Sequence, residues 1–155
     1  MEERYRTSTR SHQGKAAAMI TKQCGGPPER MGGTSSRIIA SQPEEARISR
    51  AFVAEWCKAH GFRESAVDDA CTVASELVAN VVTHTRNGGV VRLYLSTAGP
   101  VIEVWDHSPE PPVVRPLDLT SNSGRGMAIV AALAESWGTN PLASGGKCVW
   151  AVLRA

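Results

Sequence analysis

Hydrophobic residues return at helical spacing in three stretches of this chain, and the segments between them read as strands, turns and loops. In the first stretch Ile48, Phe52, Val53, Trp56 and Cys57 form one stripe, the spacing of an amphipathic helix. Ser41 offers an N-cap, Pro43 suits the first turn, and Glu44 and Glu45 favour the positive end of the helix dipole. Gly61, after His60, ends that helix. A second helix is expected from Glu64 to Thr85, stopped by Asn87-Gly88-Gly89, with Leu77, Val78, Val81 and Val82 on its buried stripe. A third runs from Met127 to Trp137, with Ile129, Val130, Leu133 and Trp137 available for packing.

Strand spacing appears elsewhere. Arg37 to Ala40 is a short β-like run. Val91, Leu93 and Leu95 alternate with Arg92, Tyr94 and Ser96, so Val90 to Ser96 reads as a strand. Thr97 to Pro100 is a turn, and Val101 to Trp105 returns as a second strand in a hairpin. After a turn from Gly138 to Gly146, Lys147 to Leu153 is a final strand. Consecutive strands joined by a tight turn exclude a purely parallel, doubly wound sheet. The expected fold is α+β: a two-layer α/β sandwich, a mostly antiparallel mixed sheet with three helices on one face. Between the hairpin and the third helix lies a long irregular loop, Asp106 to Ser123, with prolines at 109, 111, 112 and 116. Such a loop is either functional, as a lid is, or disordered. Residues 1–36 read as a flexible N-terminal arm, rich in Arg, Ser, Thr, Gly and Lys and without a sustained period. Met31 within it is a candidate translation start. The folded domain is expected over residues 37–155.

Composition narrows the class. The chain has 155 residues, which suits one domain with a sizeable core. A formal charge of +2 is too small to argue for nucleic acid, and no basic stripe with interleaved aromatics appears in the body. No apolar run approaches the ~18 residues of a membrane span, and the N-terminus has no continuous apolar region of a secretory signal. A cytoplasmic protein is the expectation. Cys24, Cys57, Cys71 and Cys148 are scattered, without CxxC or zinc spacing, and are expected as reduced thiols.

Candidate chemistry gathers at three places. On the second helix Glu76 and Asn80 differ by only roughly 40° of rotation, so a carboxylate and a carboxamide lie one above the other. That pair can serve a hydrated divalent cation, Asn80 as a hard oxygen ligand and Glu76 as proton acceptor, or it can be an ordinary solvated face. Asp106 closes the second hairpin strand, where a carboxylate can accept an amino group such as that of adenine, or cap an Asx turn. Gly124-Arg125-Gly126 at a helix start can cradle phosphate through backbone N–H groups, or simply loosen the helix start. The GK[ST] ending of the Walker pattern is missing. His84 borders the helix end, where histidines commonly meet the last carbonyls. Trp105, Trp137 and Trp150 read as core, and Lys147 as a solvated turn residue.

Taken in order, these segments resemble the GHKL superfamily of gyrases, heat-shock chaperones, mismatch-repair ATPases and histidine kinases. More closely, they resemble small actinobacterial ATP-binding proteins related to anti-sigma-factor serine/threonine kinases. SELVANVVTHT is similar to the N box, VIEVWDHSPEPP to a degenerate G1 box, SGRGMAIVAALAESWG to the G2 box and GGKCVWAVL to the closing strand. The likeness covers about Ser36 to the C-terminus. It implies the Bergerat ATP-binding fold, with ATP and Mg²⁺ as ligands. By the same resemblance Asn80 would coordinate Mg²⁺, Glu76 would activate the attacking hydroxyl or water, and Asp106 would recognise adenine. Gly124, Arg125 and Gly126 would line the triphosphate, with Ser108 to Ser123 as lid, and Cys148 would stand where relatives carry a threonine beside the adenine. The implied partners are a sigma factor or an anti-sigma-factor antagonist, and a second copy in a homodimer. A non-catalytic, ATP-dependent interaction module of the same fold is the alternative.

Overall fold

The computed structural model describes residues 25–108 and 125–155. Among them the order is β1 (Arg30–Ile39), α1 (Glu45–Ala59), α2 (Glu64–His84), β2 (Gly89–Ser96), β3 (Gly99–Asp106), α3 (Gly126–Leu133), β4 (Ser136–Pro141) and β5 (Lys147–Val152). The five strands form one sheet in the order β1-β2-β3-β5-β4, and every neighbouring pair is antiparallel. No helix of the described residues is long and apolar enough to cross a membrane.

The expected hairpin is present, with Val91 opposite Val104 and Leu93 opposite Ile102. Alternation then divides the sheet into two faces. Val91, Leu93, Ile102, Val104, Val149 and Ala151 join the helices in the main core. Tyr94, Val101, Cys148, Trp150 and Val152 form a second cluster on the opposite face. Glu103, also on that face, is buried but well supplied. It accepts from the Tyr94 hydroxyl at 2.6 Å and from Trp105 Nε1 at 2.9 Å, and Arg92 stands 3.6 Å away. The Arg92 guanidinium in turn lies 4.8 Å from the Trp105 ring centroid, within cation–π range. Burial first, and then the bond to Glu103, push the Tyr94 phenol well above its ordinary pKa.

Helix α2 is the central helix. Ala66, Val67, Ala70, Cys71, Val73, Ala74, Leu77, Val78 and Val81 are all buried, a stripe that packs against both α1 and the sheet. Helix α1 ends as its glycine suggests. Gly61 takes φ +75°, its N–H reaches Lys58 O, and the Phe62 N–H reaches Cys57 O, each at 3.1 Å. These are the paired bonds of a Schellman motif, closed by the Phe62 ring lying edge-on to Trp56 with centroids 5.9 Å apart.

Four expectations change. Ser41 does not cap α1, whose N-cap position is Glu44 and has no side-chain bond. Its hydroxyl donates instead to Thr85 O at 2.8 Å, tying the approach to α1 to the end of α2. The strand expected at Arg37 begins at Arg30, so residues 30–36 of the expected arm are sheet. Gly32 and Gly33 carry no side chain and Thr34, Ser35 and Ser36 are all polar, so no alternation marks this edge strand, whose register breaks between Met31 and Thr34. The third helix stops at Leu133, and Trp137 belongs to β4. Ile129, Leu133 and Trp137 keep helical spacing, but the free edge of β5 captures the chain after Ala134. Gly138 then lies under the Trp150 indole, whose Nε1 donates to Asn140 Oδ1 at 2.9 Å. Finally, Lys147 is buried.

Edge strand β1 is held to α1 by Arg37, which donates to Glu45 Oε2. That hydrogen bond, against the opposing effect of burial, holds the Glu45 carboxyl below its ordinary 4.5. A depressed carboxyl pKa contributes stability that is present above the unfolded value and is lost as pH falls through the folded one. The native chain should therefore lose its stability margin over Glu45→Gln as pH falls through and below the ordinary carboxyl value of 4.5. Urea unfolding of both proteins across that range checks this, and a margin that stays constant would sink it.

Candidate functional site

The site builds from α2, the start of α3 and the ends of β3 and β5. On α2 Glu76 and Asn80 are both half-buried, one turn apart on the face beside the apolar stripe, as the spacing predicts. Helix α3 packs against α2, and its first residue, Gly126, faces Glu76. A methyl group at Gly126 would come within 2.8 Å of Glu76 Oε2 and 3.6 Å of its Cβ. The absence of a side chain there lets the carboxylate lie against the opening turn of α3. The N–H groups of that turn lack partners within the helix, and the dipole favours negative charge. Arg125, half-buried, is the N-cap residue of α3, and its carbonyl accepts from Ile129 N at 3.0 Å.

Asp106 ends β3, 5% exposed. Its main chain is closely embraced on both sides. A Cβ on Gly146 would lie 2.1 Å from Asp106 O, and Gly146 takes φ +88°. On the other side Gly89, its register partner, leaves room for Val81 of α2 to approach. Among the described residues the carboxylate has two partners: the Ser108 N–H reaches Oδ1 at 2.7 Å, and Lys147 Nζ stands 3.2 Å from Oδ1 and 3.1 Å from Oδ2. So Asp106 forms the Asx-type turn and a buried ion pair together.

Lys147 was expected in solvent, and β-sheet parity explains the correction. Val149 and Ala151 face the helices, so Lys147, two residues before Val149, must face them too. It pairs with Asp106 in register across β3 and β5. The same parity moves Cys148 to the opposite face, in the cluster with Tyr94 and Trp150, so it does not stand beside the Asp106 carboxylate. Burial pushes the Cys148 thiol up to about 12, and Cys57 likewise reaches about 12. Cys57, Cys71 and Cys148 are free thiols.

The structure thus brings Glu76 and Gly126 together and sets Asp106 at the β3 end next to α2. Gly124 and most of the expected lid, residues 109–123, lie outside the described residues. His84 is exposed at the end of α2. Glu76 and Asn80 present carboxylate and amide oxygens, which suit a hard cation such as Mg²⁺ rather than a soft one. A groove of about 280 Å³ lined by Met31, Thr34, Trp56, His60 and Leu95 lies elsewhere and includes none of these residues.

An open antiparallel sheet with three helices on one face, the middle one carrying Glu76 against a glycine-opened third helix, is the architecture of a GHKL-type ATPase domain. The chain belongs to the histidine kinase-like ATPase domain family, whose model matches residues 39–153. Among solved structures it is similar to the RsbU and RsbW domains of Rv1364c from Mycobacterium tuberculosis, with a TM-score of 0.59 and 22% identity. The match covers 80% of this chain and 34% of that one, so this chain spans about a third of its length. At that identity the likeness is one of fold. A search of curated proteins finds no match.

The Asp106–Lys147 pair should be costly to break from one side, because a buried charge would lose its partner. Lys147→Met is expected to destabilise by roughly 3 kcal/mol, with part recovered when Asp106→Asn is added. Denaturant unfolding of the two single variants and the double variant gives the coupling; additive losses would show that the pair contributes nothing.

Proposed function

We propose that this protein is an ATP-binding regulator that acts as an anti-sigma factor and serine/threonine kinase, transferring phosphate from Mg-ATP to an anti-sigma-factor antagonist. The observation that carries this reading is the Glu76 carboxylate held against the opening turn of α3 at Gly126. A proton acceptor beside an anion-favouring helix start is the juxtaposition phosphoryl transfer requires. The order of the four boxes along the chain supports it, as does the fold shared with a chain that carries an RsbW domain.

In this reading Asp106 accepts the exocyclic amine of adenine. The N–H groups at the start of α3, with Gly124, Arg125 and Gly126, bind the phosphates. Asn80 lends its amide oxygen to Mg²⁺, which when bound neutralises phosphate charge. Glu76 takes the proton from the attacking serine or threonine hydroxyl of the antagonist. Most of the rate enhancement then comes from positioning and charge neutralisation. The protein acts in the cytoplasm, and a sigma factor and a second copy of the chain are its further proposed partners.

Calorimetric titration tests the site. Mg-ATP should bind the native protein saturably, and Asn80→Ala and Asp106→Asn should each weaken it at least about tenfold. With labelled ATP and purified antagonist proteins from the same genome, Glu76→Gln should lower transfer by roughly 10²-fold or more. Mg-ATP-dependent capture of the antagonist without any transfer by the native protein would replace the kinase with a non-catalytic interaction module. Transfer undiminished in Glu76→Gln would remove Glu76 from the chemistry.

A further inference from the structure

The buried lysine beside Asp106 is absorbed by none of the roles above. We propose that Lys147 reads the base: it donates a hydrogen bond to the adenine ring nitrogen adjacent to the exocyclic amine that Asp106 accepts. The inference rests on the reading that Asp106 faces adenine.

Hydrogen-bond accounting carries it. An ionised carboxylate offers about four acceptor positions. At Asp106 the Ser108 N–H and Lys147 Nζ occupy Oδ1, and Lys147 also stands 3.1 Å from Oδ2. One position on Oδ2 therefore remains, so an amine can be accepted without expelling the lysine. An ammonium carries three donors. Even if each Asp106 oxygen takes one, at 3.2 and 3.1 Å, a third is left over, and among the described residues Asp106 is the one side chain that accepts from Lys147. With its side chain only 11% exposed, Lys147 cannot readily satisfy that donor in bulk water, and a buried donor without a partner is costly.

Side by side, the Asp106 oxygen and the Lys147 ammonium present an acceptor next to a donor. That is the pattern a carboxamide offers when it reads adenine through two adjacent bonds. The edge of adenine bearing N6 and N1 presents the complement, a donor beside an acceptor. Guanine held in the same orientation would set its O6 acceptor against the Asp106 oxygen. Strand parity fixes both groups on the helix-facing side of the sheet, and the register of β3 and β5 makes them direct neighbours. The position of Lys147 thus reflects more than ion pairing: it completes a two-point reader that Asp106 alone does not supply.

The test compares Mg-ATP with Mg-1-deaza-ATP, in which a C–H replaces N1. The native full-length protein should bind the deaza analogue about tenfold more weakly, the loss of one hydrogen bond from a charged donor. Lys147→Met, confirmed as folded by circular dichroism, should bind the two nucleotides with nearly equal affinity. A purely structural ion pair would weaken both ligands together and leave their ratio unchanged. Equal affinities in the native protein overturn the proposal, as does a tenfold preference that survives in Lys147→Met. Equal affinities in the native protein overturn it whether or not the variant folds, and Lys147→Leu replaces Lys147→Met if that variant does not fold. Absence of Mg-ATP binding to the native protein overturns the nucleotide reading itself. Binding that is lost in Asp106→Asn but indifferent to N1 overturns the role of Lys147 while leaving that reading intact.

Discussion

Helix α2 has two faces with incompatible demands, and the structure depends on how it meets both. Its apolar stripe, with Val67, Val73, Leu77, Val78 and Val81 buried, packs against α1 and the sheet. Burial of each such side chain contributes roughly 1.5–3 kcal/mol relative to exposure, well beyond anything the half-buried polar face returns. The apolar face therefore sets the rotation of the helix. Glu76 then projects where that rotation leaves it, against the start of α3, with Asn80 one turn further along the same face. A helix turned to favour its polar groups would expose several valines and a leucine. The site geometry on α2 is thus a by-product of core packing.

The central strand β3 makes the same compromise in sheet form. It is covered on both faces, yet carries Glu103 outward and Asp106 inward, each less than 6% exposed. Buried carboxylates persist only when their lone pairs are supplied. Glu103 is supplied by a tyrosine, a tryptophan and an arginine, and Asp106 by a backbone N–H and Lys147. The two sets differ in character. The Glu103 set is closed, its aromatic donors locked by the packing of the outer cluster. The Asp106 set includes an ammonium with a donor to spare, at the strand end nearest α2.

Local pattern was enough wherever one element's own residues decide its shape. The stripes of α1 and α2, the glycine stop after His60 and the β2–β3 hairpin follow from helical and alternating periods that no partner needs to confirm. The relation of Glu76 to Asn80 follows equally from 3.6 residues per turn. Strand parity alone would also have placed Lys147 on the inner face; the misleading cue was its position next to a glycine-rich turn, where lysines are ordinarily solvated.

Other features exist only because distant segments meet. Residues 30–36 carry no strand period, and become β1 because β2 offers an unpaired edge. Trp137 continues a helical stripe in sequence, but the edge of β5 draws it into β4. Ser41, suited by type to cap α1, is taken by Thr85 from the end of α2. The contact of Gly126 with Glu76 spans fifty residues of chain, and the register of β3 against β5 is what sets Lys147 on Asp106. The sequence by itself determined α1, α2 and the hairpin, because periodicity and turn chemistry are local. Only the tertiary structure decided which edges would be filled and which charges would pair, because those choices compare contacts between segments far apart in the chain.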